Sequence, residues 1–159
     1  MESVTKIENS AFWGGVNLKT IRGYAGSYAE SYAKEYGYIF EDVEGKITTS
    51  YRTHVQSFGW QNPVTNGAMS GTSGEAKRLE AIQIKLYGEM ANRFDVYYRV
   101  HAQSYGWLGW AKNGEEAGTA GYAKRLEGIQ IVLVPKGSAA PANNYKNIQS
   151  VNTKAYIKK

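Results

Sequence analysis

Three tryptophans, two histidines and two glutamates carry most of the chemistry open to this chain. Trp60, Trp107 and Trp110 present faces that can stack on a sugar ring. His54 and His101, beside Gln56 and Gln103, can exchange hydrogen bonds with hydroxyls or phosphate, and Glu80 and Glu127 can accept from vicinal hydroxyls. Asn66 and Asn113 complete the candidate ligand-binding set from turns. All but Trp110 recur in pairs 47 residues apart. Glycoside hydrolysis needs an acid and a base or nucleophile about 5–10 Å apart across one substrate, with their pKa values pushed apart. Repeat-related glutamates instead occupy separate sites with matching environments, so the expectation is no catalysis. Zinc would need ligands from both copies, with no third histidine and no cysteine to help. "GTSGEAK" lacks the Gly-Lys-Ser/Thr ending of a phosphate-binding loop. No cofactor or metal is expected.

The elements that must position these residues are written twice. Tyr51–Leu86 aligns with Tyr98–Leu133 without a gap, a period suited to stacked or symmetric repeats. Each copy opens with period-two alternation: Tyr51, Thr53 and Val55 against Arg52, His54 and Gln56, then Tyr98, Val100 and Ala102 against Arg99, His101 and Gln103. The expected result is a half-buried strand whose Arg-His-Gln face turns away from the core. Each copy closes on a second strand, with Ile82, Ile84 and Leu86 (Ile129, Ile131 and Leu133 in the second copy) facing inward. Arg78 and Glu80, like Arg125 and Glu127, share that inward parity and should satisfy each other at the rim of the core. The intervening Asn- and Gly-rich stretch has turn chemistry and is too broken for a long helix.

With 159 residues, thirteen Tyr and eighteen Gly against three Pro, the composition favours strands and turns in one all-β domain over 1–159. Two units cover 47–93 and 94–137. A worn third copy is expected over 11–46, with Trp13 preceding Trp60 by 47 residues and "YGYIF" as its closing strand. Its opening strand would come from 150–159, where Val151, Thr153, Ala155 and Ile157 alternate, giving a pseudo-threefold, β-prism-like ring without free edges. Residues 20–37 also admit a helix, because Tyr24, Tyr28, Tyr32 and Tyr36 recur every four residues. No apolar stretch approaches the roughly 18 residues of a spanning helix. "MESVTKIENSAFWGG" lacks the features of a signal peptide. A net charge of +5 suits anionic partners, although a solvated basic surface is the better account of it.

The run His-x-Gln…Gly-Trp…Asn-Gly…Gly-Thr-x-Gly…Arg-Leu-Glu…Ile-x-Ile-x-Leu resembles the clostridial hydrophobic repeats with a conserved tryptophan, the ChW repeats, in copies at 47–90 and 94–137. The Gly-x-x-Gly before an Ile-rich strand is similar to that of β-prism lectins. The ChW resemblance implies surface proteins of Gram-positive bacteria, or modules beside wall-degrading enzymes, that attach to glycans, wall polymers or proteins. With no leader in view, it implies an excised module, a lysin's binding domain or a protein released by lysis. The first copy departs at Pro63, where the second has Trp110. Glycan or wall-polymer binding is the leading expectation and protein adhesion the alternative. Single-stranded nucleic acid is weaker, since no RNP-like or helix-turn-helix pattern occurs. Trp60 and Trp107 are read mainly as core residues. Trp110, unpaired and among turn residues, is read as the exposed stacking platform.

Overall fold

The computed structural model describes residues 20–23, 27–42 and 48–159. The chain divides into two compact units, Met1–Lys46 and Ile47–Lys159. In the first, strand β1 (Thr20–Gly23) leads through helix α1 (Tyr28–Glu35) to strand β2 (Ile39–Asp42), which pairs with β1 in parallel. Parallel neighbours require a crossover, and the tyrosine spacing provides a helical one. Tyr32 is buried with Ala33 and Ile21 and stacks on Tyr36 at 4.4 Å. Ser27 caps the helix by accepting from the Glu30 N–H at 3.4 Å. Of the third copy expected over 11–46, the described part is strand–helix–strand. Ile39 and Phe40 of the expected closing strand do lie in a strand, but opposite a parallel partner. Trp13, Tyr24 and Gly26 lie outside the described residues.

The second unit contains the two copies, each folded to one plan. Strand β3 (Thr49–Val55) carries the short strands β4 (Gly59–Trp60) and β5 (Val64–Thr65) on one edge and pairs antiparallel with β6 (Leu79–Leu86) on the other. After the short helix α2 (Gly88–Arg93), β7 (Phe94–Ala102) does the same with β8 (Gly106–Trp107), β9 (Ala111–Lys112) and β11 (Leu126–Pro135). Backbone bonds repeat with the plan: Gln61 N–H donates to Thr53 at 3.0 Å, and Leu108 N–H to Val100 at 3.0 Å.

The copies interlock through β10 (Ala117–Ala120), which leaves its own hairpin and pairs antiparallel with β6 of the first copy. Gly118 permits this approach. A Cβ there would sit 2.6 Å from the Ala81 Cα and overlap the Glu80 carbonyl, and its φ is +129°. The shared core joins Ile84 and Leu86 of the first copy to Val96, Tyr98, Val100, Leu108, Ala111 and Ala117 of the second. One copy thus supplies the lid of the other, as a repeat that cannot bury its own face requires.

That logic also corrects an expectation. Ile84 and Leu86 are buried, at 8% and 5% exposure, but Ile129, Ile131 and Leu133 stand at 45%, 53% and 47%. Strand β11 is an edge strand, and among the described residues no further copy follows to cover it. Residues 138–155 fold back over the second copy, and strand β12 (Tyr156–Lys158) pairs in parallel with β10. The C-terminal strand starts later than the alternation from Val151 predicted, and it joins this sheet. No barrel closes among the described residues.

Candidate binding face

Each copy builds one polar cluster on the face opposite its core. In the first, the Arg52 guanidinium lies over the Trp60 ring, 5.0 Å from its centre, and His54 meets the same ring edge-on at 5.5 Å. His54 Nδ1 is 3.2 Å from Glu80 Oε2, and Arg78 Nε donates to Glu80 Oε1 at 2.9 Å. In the second, Arg99 lies 5.3 Å over Trp107, His101 meets it edge-on at 5.6 Å, and His101 Nδ1 is 3.2 Å from Glu127 Oε2. Arg125 Nη2 closes that cluster 2.7 Å from Glu127 Oε1. Period-two geometry groups the arginine, histidine and tryptophan, and a one-residue register shift at Glu80 and at Glu127 brings the glutamate to them. Arg52 and His54 are two apart on β3, and the β3–β4 turn folds Trp60 back opposite His54. Each glutamate sits between a histidine and an arginine, so the expected Arg–Glu pair forms, but on this outer face and not at the core rim.

The two faces differ in what lies on them. Arg99 is fully buried, and every guanidinium N–H has an acceptor: Gln130 Oε1 at 2.7 Å, the carbonyls of Asn143, Ile148 and Tyr145 at 2.8, 2.7 and 3.3 Å, and Ser150 Oγ at 2.6 Å. Burial lowers its pKa, and the carbonyls compensate by facing the charge. Trp110 also lies against this guanidinium at 4.6 Å, donates from Nε1 to the Ala142 carbonyl at 3.3 Å and meets Tyr145 edge-on at 5.8 Å. Further along, Gly109 N–H donates to Lys154 O at 3.0 Å, and a Cβ at Gly109 would overlap the Thr153 carbonyl.

Among the described residues, cavities open on the matching surface of the first copy. One, of about 420 Å³, is lined by Phe58, Trp60, Gln61, Asn62, Thr72 and Glu75. Phe58 is 54% exposed there, and the buried Thr72 hydroxyl has no hydrogen-bond partner. Its counterpart Thr119 donates to Lys124 O at 3.3 Å on β10, which β12 borders. Asn62 stands where the second copy has Gly109, the position at which any side chain would overlap the C-terminal backbone in the second copy. Another cavity, of about 210 Å³, lies at Arg52, Pro63, Gln83 and Tyr87.

Residues 54–88 and 101–135 match the family model of the clostridial hydrophobic W repeat. Two ChW repeats are present. No curated protein and no solved structure matches the chain. Among the described residues no helix is long and apolar enough to cross a membrane, and no group of three His, Asp or Glu is placed to hold a metal ion.

Within the ChW repeats, the residues singled out from sequence divide by role. Trp60, His54 and Glu80 are brought together, as are Trp107, His101 and Glu127, and both Trp60 and Trp107 are half-buried. Gln56 and Gln103 flank these clusters, their N–H groups donating to the carbonyls of Arg78 and Arg125 at 3.0 and 2.9 Å. Trp110, expected as an exposed platform, is half-buried against Arg99, because residues outside the repeat fold over it. Asn66 and Asn113 hold turns at φ +49°. Asn66 Oδ1 accepts from the Thr48 N–H at 3.0 Å, and Asn113 Oδ1 from the Val96 N–H at 2.9 Å. Sequence reasoning placed Arg52 and Arg99 on the polar face but missed their weight, although each has a cross-strand glutamine 31 residues on. It also missed buried Asp95, clasped by Asn113, Lys112, Lys136 and the Gly137 N–H, which hold its pKa well below the usual carboxylate range.

Proposed function

We propose that the chain is a non-catalytic attachment module whose first ChW repeat binds a glycan or cell-wall polysaccharide in the cavity beside Phe58 and Trp60. The observation that carries this reading is the Thr72 hydroxyl, buried without a partner at an aromatic- and amide-lined cleft. An unmade bond of this kind costs about 1–3 kcal/mol, which a sugar hydroxyl recovers. Phe58 and Trp60 offer apolar faces, while Asn62 and Glu75 offer exposed polar groups at the rim. The family context of surface and wall attachment agrees with this ligand class. Weak single sites gain about 10²–10⁴ in avidity on a repetitive polymer.

A glycan array and pull-down on protein-free wall polysaccharide test the proposal, with free saccharide as competitor. Phe58→Ala should weaken binding by on the order of tenfold, the worth of one stacking aromatic, without changing the melting temperature. Thr72→Val should weaken binding while stabilising the free fold. Retention on polysaccharide by both variants at wild-type levels refutes the assignment of the cleft. Protein adhesion is the second reading, favoured by the polypeptide that clads the Arg99 face.

A further inference from the structure

We propose that the Arg52 groove of the first repeat is a receptor for a polypeptide segment, distinct from the Thr72 cleft and independent of the glycan reading. The chain supplies its own template. At the equivalent position of the second repeat, Arg99 gathers the carbonyls of Asn143, Tyr145 and Ile148 and the hydroxyl of Ser150, all from a non-repetitive stretch of the same chain. Arg52 has the same platform: Trp60 beneath the guanidinium at 5.0 Å and Gln83 accepting from Nε across β3–β6. Its Nη1 and Nη2 make no hydrogen bond among the described residues, and the cavity of about 210 Å³ opens beside them.

Four guanidinium N–H groups fanned in a plane match converging carbonyls, which a turn of non-helical peptide presents and a single anion does not. The groove also defines its ligand by a difference. Arg99 also has the Trp110 ring against it, where the first repeat has Pro63. The bound segment must therefore bring an aromatic side chain over Arg52, packed toward Pro63 and Tyr87. The ligand class is a short irregular segment with inward carbonyls, a hydroxyl and an aromatic residue, as in "NNYKNIQS" (143–150). The close backbone passage at Gly109 has no equivalent because of Asn62, so recognition is confined to the part of the segment that meets arginine.

The test uses the full chain, isotopically labelled, titrated with a synthetic peptide of residues 139–152. The tethered copy of that segment keeps the Arg99 site filled, so added peptide reports on Arg52. Saturable shifts of the Arg52 Nε–H and Gln83 amide signals are expected. Arg52→Ala should weaken binding about 30-fold or more, the loss typical of a central arginine anchor. Arg52→Lys should weaken it nearly as much, because charge without the planar fork cannot meet several carbonyls. Polyglycerol phosphate is the competing probe. Arg52-dependent binding of that polymer without peptide binding overturns the proposal in favour of an anion site. Absence of saturable peptide binding overturns it, as does equal binding by wild type and Arg52→Ala. Should the arginine variants fail to fold, a photo-reactive group at the peptide's Tyr145 position decides on the unaltered chain. Cross-links at Pro63 or Tyr87 support the site, and their absence refutes it.

Discussion

Arg99→Ala removes the donors beneath residues 138–151 and leaves three backbone carbonyls without them, while the Ser150 hydroxyl keeps its bond to the Leu108 carbonyl. Hydrogen bonds to a charged group contribute about 1.5–3 kcal/mol each. Taken over the four bonds to that segment, the sum is roughly 6–12 kcal/mol, as large as the whole stability of a typical domain at about 5–15 kcal/mol. The chain has a cheaper response. Lifting the segment hydrates the carbonyls, so the loss is limited to the docking free energy of the C-terminal stretch. We expect about 3–5 kcal/mol, as for other broken buried charge networks. Arg52→Ala, which removes one side-chain bond from a half-exposed site, should cost about 0–1 kcal/mol. Urea unfolding followed by tryptophan fluorescence gives both values. Hydrogen exchange supplies the sharper reading: in Arg99→Ala the amides of Val151 and Gly109, which bond across the clasp, should lose protection before those of β7. Equal destabilisation by the two substitutions, or unchanged protection at Val151, refutes the account of Arg99 as the anchor.

Gly118→Ala should destabilise by about 2–5 kcal/mol, combining a disfavoured φ with overlap against the Glu80 backbone, whereas Gly74→Ala, at φ +76° in open space, bears only the backbone strain; thermal unfolding of the two separates these terms. Because its hydrogen bonds lower the folded pKa of Asp95, its contribution is complete above the unfolded pKa of about 3.9 and is lost as pH falls through the folded value. Asp95→Asn should therefore flatten the acid limb of a stability-against-pH curve and leave the neutral-to-mildly-alkaline slope unchanged. Ile84→Thr should cost about 1–3 kcal/mol as a polar group placed in the shared core, while Ile131→Thr at the matching position of β11 should fall within about 0.5 kcal/mol of wild type. Equal losses there would mean that the exposed face of β11 is covered in solution.

The paired hairpins were legible in the sequence because their signals are local. Period-two alternation from Tyr51 and Tyr98, the Asn-Gly turns and the Arg-x-Glu parity each span a few residues, and a 47-residue period states them twice. The grouping of His54 with Trp60 follows from that register, and Glu80 joins them only because a one-residue register shift between β3 and β6 turns it away from its inward parity. What tertiary structure decided are contacts whose partners share no pattern. Trp110 reads as a loop aromatic until residues 142–145 close over it, a meeting 32 residues apart in a stretch without periodicity. Ile129, Ile131 and Leu133 have the same alternation as Ile82, Ile84 and Leu86, yet the apolar face of a repeat is buried only when a following repeat lies on it. The tyrosines of residues 28–36 fit strand and helix alike, and parallel pairing of β1 with β2 selected the helix, because antiparallel hairpins can turn in two residues and parallel neighbours cannot. Equivalent sequences thus acquire different surfaces: short-range pattern fixes which way each side chain points, and only the packed chain determines what it meets there.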